Sequence, residues 1–206
     1  MNFQMVLSIL GRLLMVYSTA MVIPLILAVI NEDSSRMAFL LSIFITILLG
    51  LIFMKQKKLS IRGIGAKEAI ATVAGAWVLI TALSALPYSL SGVVPTFIDA
   101  LFEASSGLTT TGASVISDVE ILPASILLWR SITQWLGGMG IIVLFIILLP
   151  NTGMGAVHMF NAEVPGPVSE RIMPRIRDTA LILWKIYIFL TTVLIMLLWF
   201  AGMGFF

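Results

Sequence analysis

The sequence has no cysteine, a single histidine and little charge: only 11% of its 206 residues are Asp, Glu, Lys or Arg. Without cysteine there is no disulfide scaffold, thiolate zinc site, iron–sulfur cluster or cysteine nucleophile, and the redox compartment is left open. His158 stands alone, with no neighbouring carboxylate cluster, and makes a poor metal centre or catalytic base. Paired aspartates within helices and a serine–histidine arrangement are both lacking, so no enzymatic chemistry is expected. The balance of 12 Lys+Arg against 10 Asp+Glu argues against a nucleic-acid binder held by bulk positive charge. A soluble domain normally carries about 25% charged residues. This chain is instead 60% hydrophobic, with a mean hydropathy of +1.11.

Long uncharged runs account for that excess. Residues 13–30 and 37–54 are each 18 residues without charge, close to the ~20 that cross a hydrocarbon core. Residues 69–86 form a third run, closed by Pro87; residues 123–150 hold a fourth helix with Arg130 its only charge; residues 179–206 hold a fifth with Lys185. The prolines are expected at or near helix ends. No strand-like alternation competes, so the fold class is all-α integral membrane with five transmembrane helices. The first run is read as a retained helix, since it outlasts a signal-peptide core and no small-residue cleavage site precedes Asn31.

Lys55, Lys57, Lys58, Arg62 and Lys67 fall in one loop, and Arg171, Arg175 and Arg177 in another. Cytoplasmic loops carry the positive excess, which puts these eight inside. Arg36 and Arg130 are left outside with Glu32, Asp33, Asp99, Glu103, Asp118 and Glu120. The amino terminus is then cytoplasmic and the carboxyl terminus external, as five crossings require. The acidic outer loops either gather cations at an entrance or form an ordinary solvated face. The basic loop after Met54 suits anionic lipid, though orientation alone explains it.

Residues 96–107 are mostly apolar but, at 12 residues and about 18 Å as a helix, too short to span. That length suggests a re-entrant pore helix. Thr96 and Asp99 form a capping-box pattern at its start, and Ser105-Ser106-Gly107 ends it, with the negative dipole end pointing into the membrane. Thr109, Thr110 and Thr111 are β-branched and favour extended backbone, while Gly112 permits a positive φ. Extended backbone at membrane depth survives only when buried in protein or lining a watery cavity. A row of carbonyls there offers oxygen ligands to a dehydrated monovalent cation. A Thr-rich external turn that merely joins two helices satisfies the same composition.

Ser106-Gly107-Leu108-Thr109-Thr110-Thr111-Gly112-Ala113, Trp129-Arg130-Ser131 and Gln134-Trp135-Leu136-Gly137-Gly138-Met139-Gly140-Ile141 together resemble the first pore repeat of the Trk/Ktr/HKT potassium-uptake superfamily. Ala162-Glu163-Val164-Pro165-Gly166-Pro167, Pro174-Arg175-Ile176 and Trp199-Phe200-Ala201-Gly202-Met203 are similar to the cytoplasmic loop and next helix of its TrkH branch. The resemblance implies four repeats of helix, re-entrant pore helix with filter, and helix around one pore, after an extra amino-terminal helix pair. Residues 1–68 then match the extra pair, 69–157 the first repeat, and 158–206 a cytoplasmic loop and the opening helix of the second. Three filter strands are missing, so a partial protein is expected. A truncated, non-conducting membrane protein that assembles with or interferes with full-length subunits is the alternative.

Carried over by residue, Gly112 resembles the filter glycine. Thr110 and Thr111 resemble the residues whose backbone carbonyls coordinate potassium, with Thr109 and Ala113 flanking and the Thr side chains packed behind. The implied function is potassium uptake across the inner membrane, with potassium as transported substrate and no cofactor. The implied partners are a second copy, in a homodimer, and a cytoplasmic nucleotide-binding regulatory subunit of TrkA type. Gly137, Gly138 and Gly140 suit close helix packing better than a nucleotide loop, because no strand precedes them. Arg130 either touches the pore module or snorkels to the outer interface, and Lys185 is expected to snorkel.

Overall fold

The computed structural model describes residues 2–55, 66–148 and 173–203. Within them lie six helices: α1 (Phe3–Ile30), α2 (Arg36–Met54), α3 (Ala66–Ser91), α4 (Phe97–Leu108), α5 (Ala124–Leu148) and α6 (Met173–Phe200). Most of both basic loops, His158 and the 162–167 motif lie outside the described residues.

The α1 helix starts ten residues before the uncharged run and takes in Arg12, with the Asn2 side chain accepting from the Met5 amide at 3.3 Å. It packs on α2 where two glycines meet: a Cβ on Gly11 would sit 2.6 Å from the Gly50 carbonyl oxygen. Small residues allow such backbone approach between membrane helices. Pro24 lies inside α1 and Pro87 inside α3, which runs on to Ser91. Both correct the expectation that proline marks helix ends. Membrane helices tolerate the lost amide because neighbouring groups and local adjustments satisfy the freed carbonyl.

Trp129 of α5 is the hub of the bundle. It is fully buried, meets Tyr17 of α1 and Phe39 of α2 edge-on at 6.0 and 6.2 Å, and donates its indole N–H to the Ser84 carbonyl of α3 at 3.1 Å. Tyr17 and Ser84 share a 2.5 Å hydroxyl bond, tying α1 to α3 directly. Ser125, at the start of α5, bonds Ser35 at 2.5 Å and Asp33 at 2.7 Å, so the α1–α2 turn and the α5 start share one end of the bundle. Asn2 donates to Glu68 at the opposite end.

Four described helices are long and apolar enough to cross a membrane: α1, α2, residues Lys67–Ser91 of α3 and Leu181–Phe200 of α6. The expected fourth crossing, α5, is broken at Gly140, whose φ of 68° and ψ of 140° lie outside the helical region. Gly140 therefore kinks its helix rather than packing it, and among the described residues nothing stands within 4 Å of a Cβ built there. The α6 helix meets the bundle through α5: Trp135 packs on Trp184 and Tyr187, each at 5.5 Å, and donates to Thr191 at 3.2 Å.

Candidate functional site

The short helix α4 presents the segment with the candidate chemistry, and its two ends are built differently. At the start, the Asp99 amide donates to the Thr96 hydroxyl oxygen at 3.1 Å, and the Thr96 amide donates to the Asp99 carboxylate at 3.1 Å. This is the reciprocal capping box the sequence predicts. At the other end the Thr110 amide donates to the Gly107 carbonyl and the Thr111 amide to the Ser106 carbonyl, each at 2.9 Å. That pair of bonds is the Schellman ending, which normally places glycine at the left-handed position. Here the position is Thr110, with φ 57°. Thr109 caps the helix at φ −85°, so the three threonines do not run extended as expected. Gly112 does take the predicted positive φ, at 76°.

The residues beyond the helix are exposed from Thr109 to Val115. Among the described residues, the carbonyls of Thr109, Thr110, Thr111 and Gly112 accept no hydrogen bond, whereas the Ala113 carbonyl accepts the Ser106 hydroxyl at 2.6 Å. Ala113 is thereby turned back on α4. The Thr109 hydroxyl folds back on the Ser105 carbonyl at 2.7 Å and meets the Thr111 hydroxyl at 2.8 Å. These two side chains sit on the exposed segment and are not packed behind it.

Behind the segment stands Glu103, counted in the sequence among outer-face charges but in fact buried at 3% exposure. Its Oε1 accepts from the Val115 amide at 2.7 Å and the Ser114 hydroxyl at 2.6 Å, and its Oε2 pairs with the Arg130 guanidinium of α5. Arg130 thus pairs with Glu103 of α4 instead of snorkelling free of it. A charged pair at such burial holds only with good geometry and further hydrogen bonds, and the two bonds to residues 114 and 115 supply them. Helical spacing was the available signal, since Glu103, Ser106 and Gly107 fall three and four residues apart on one face.

Two glycines let α4 sit directly on α5. A Cβ on Gly107 would lie 2.6 Å from the Thr133 hydroxyl, and one on Gly137 would collide with the Leu108 carbonyl. Gly138 faces the Tyr187 hydroxyl of α6. No group of three or more His, Asp or Glu side chains among the described residues is arranged to hold a metal ion.

Comparison with known proteins agrees with the resemblance in residues and in shape. Residues 35–203 match the TrkH family, described as cation transport proteins. The chain is 38% identical over 205 residues to the Trk system potassium uptake protein TrkH of Escherichia coli K12, covering 98% of this chain and 42% of that protein. It is also 38% identical to its Halomonas elongata counterpart, over 100% of this chain and 43% of that one. The crystal structure of the potassium transporter TrkH from Vibrio parahaemolyticus superposes with a TM-score of 0.81 at 30% identity, over 99% of this chain and 41% of that one. The chain thus spans about two fifths of the length of the relatives it matches.

Proposed function

The chain belongs to the TrkH family of cation transport proteins, and from that premise we propose that it supplies the first pore repeat of a potassium-uptake transporter in the cytoplasmic membrane. The observation that carries the reading is the run of four carbonyls on the exposed residues Thr109 to Gly112, without hydrogen-bond donors among the described residues, at the C-terminal end of a helix too short to span. Carbonyl oxygens replace the water shed by a dehydrating cation, and the negative end of the α4 dipole favours positive charge. The Ala113 carbonyl, engaged by Ser106, stands at the edge of this set. One re-entrant segment offers oxygens from one side only, so flux belongs to an assembly with several such segments around an axis. An inside-negative potential then favours entry by about 2.3 kcal/mol per 100 mV, with no chemical step.

In the whole transporter, Gly112→Asp abolishes rubidium uptake by potassium-starved cells once membrane expression is matched. Gly112→Ser weakens preference for potassium over sodium. A Cβ at φ 76° displaces the carbonyls, and a carboxylate traps the ion. Normal transport and selectivity in well-expressed Gly112→Asp overturns the filter assignment.

The proposed division is an amino-terminal helix pair over residues 1–68, the first repeat over 69–157, and the opening of a second over 158–206. The amino terminus is proposed to be cytoplasmic. A membrane-impermeant thiol reagent then labels Ser117→Cys but not Ser60→Cys on intact cells, and the reverse pattern inverts the orientation. The whole protein is further proposed to pair with a second copy and a TrkA-type cytoplasmic regulator. Light scattering at twice the protomer mass, and retention of a nucleotide-binding subunit on purification, check both; a single-copy mass with nothing retained overturns them.

A further inference from the structure

A small polar cavity lies against the filter segment at Gly112 and Ala113. Tyr88 of α3 is fully buried, and its hydroxyl faces Thr133 of α5 without completing a hydrogen bond of normal geometry. The side chain lines a space of about 20 Å³ shared with Ser106, Gly112, Arg130, Thr133 and Gln134. A cavity of that size takes one water molecule, which needs about 10–15 Å³ and two to four polar partners.

The hydroxyls on the cavity wall have committed their protons elsewhere. Thr133 donates to the Arg130 carbonyl at 2.9 Å and Ser106 to the Ala113 carbonyl at 2.6 Å. Both oxygens are left as acceptors. The Tyr88 hydroxyl and the Gln134 amide add donors, and Gln134 Nε2 lies only 3.9 Å from where a Gly112 Cβ would stand. Water, with two protons and two lone pairs, matches that mixed set, whereas a cation would meet Arg130 at the wall and an anion would meet Glu103.

We propose that this cavity is a binding site for one water molecule, held by Tyr88 and Thr133, which ties α3 to the filter loop at Gly112. Tyr88 is then a positioning residue: it touches no ion, and it acts by restraining the loop whose carbonyls do. The positioning role rests on the filter reading; occupation of the cavity does not.

Two measurements on the whole transporter test this. A density map that resolves ordered waters is expected to show a peak within hydrogen-bond reach of the Tyr88 hydroxyl and Thr133 Oγ1. Tyr88 bonded directly to Thr133, with no peak, overturns the site. Tyr88→Phe is expected to lower the rubidium-over-sodium uptake ratio by about two- to tenfold, the weight of one hydrogen bond. Tyr17→Phe is the control, because Tyr17 bonds Ser84 and does not line the cavity, and it should leave the ratio unchanged at any cost in stability. An unchanged ratio in Tyr88→Phe, or equal shifts in both variants, overturns the positioning role. Should Tyr88→Phe fail to reach the membrane, Thr133→Val removes the opposite wall and must shift the ratio in the same direction; an unchanged ratio there overturns it equally. Absence of rubidium uptake by the unsubstituted protein sinks the transport reading, while the density map still decides the water.

Discussion

The two ends of α4 face the same physical problem and solve it in opposite ways. A helix leaves four amides bare at its start and four carbonyls bare at its finish. At the start, Thr96 and Asp99 satisfy each other's backbone with relaxed geometry, Thr96 lying in the extended region at φ −128°. At the finish the chain turns through Thr110 at φ 57°, a left-handed conformation that costs a β-branched residue about 1–2 kcal/mol. Glycine there would avoid most of that cost. Strain of this kind persists only where the surroundings over-determine it, and it clusters where a protein does its work. The first end anchors; the second presents unbonded carbonyls.

If the second end depends on its seat, disturbing that seat should have the largest effect. The Leu108 carbonyl rests directly over Gly137, and a Cβ there meets backbone that cannot swing aside. Gly137→Ala should destabilise the whole transporter by about 1–3 kcal/mol, as overpacked cores do, and depress rubidium uptake per molecule. Gly138→Ala meets the side-chain tip of Tyr187, at 2.6 Å, and touches Thr110 Cγ2 only at an ordinary 3.9 Å, so it should be milder on both counts. Thermal unfolding in detergent and tracer uptake check the pair, and equal losses in the two variants would remove the special status of the α4–α5 seat.

The anchoring end should respond in stability alone. Thr96→Ala removes the side-chain acceptor for the Asp99 amide and should cost about 1 kcal/mol, while Thr96→Ser restores most of it. The rubidium-to-sodium ratio should stay constant in both. A changed ratio in well-folded Thr96→Ala would show that the start of α4 tunes the filter too, and the division between the ends would fail.

What could be read in the residues follows the range of each interaction. The capping box, the short length of α4, the positive φ of Gly112 and the long apolar spans are set by neighbours within a turn or by solvent, and composition and spacing predict them. The helix break at Gly140 and the continuation of α3 through Pro87 run against the local pattern, which expects the glycine to pack a helix and the proline to close one. Glu103 reads in the sequence as one more outer-face carboxylate because its partners, Arg130, the Ser114 hydroxyl and the Val115 amide, lie 11 to 27 residues away. Arg130 was legible only as a choice between the pore module and the interface. Thr110 was missed for the opposite reason, since β-branching predicts extended backbone and the helix ending overrides it. The threonine run as a filter became specific only through the family resemblance.

Thr110→Gly is the smallest test and the most discriminating. Glycine relieves the left-handed strain of about 1–2 kcal/mol but restores unfolded-state freedom worth about 0.5–1 kcal/mol. The net should be a stabilisation near 0.5 kcal/mol, seen as a slight rise in unfolding temperature. If the strain only terminates a helix, transport should be unaltered in this slightly stabler variant. If the branched side chain holds the carbonyls of Thr110 and Thr111 in the orientation a cation needs, glycine frees that backbone to relax. Discrimination between potassium and sodium should then fall while stability rises. The two quantities moving in opposite directions would separate the second end from the first, because a cap whose work is structural loses stability when removed and leaves selectivity alone.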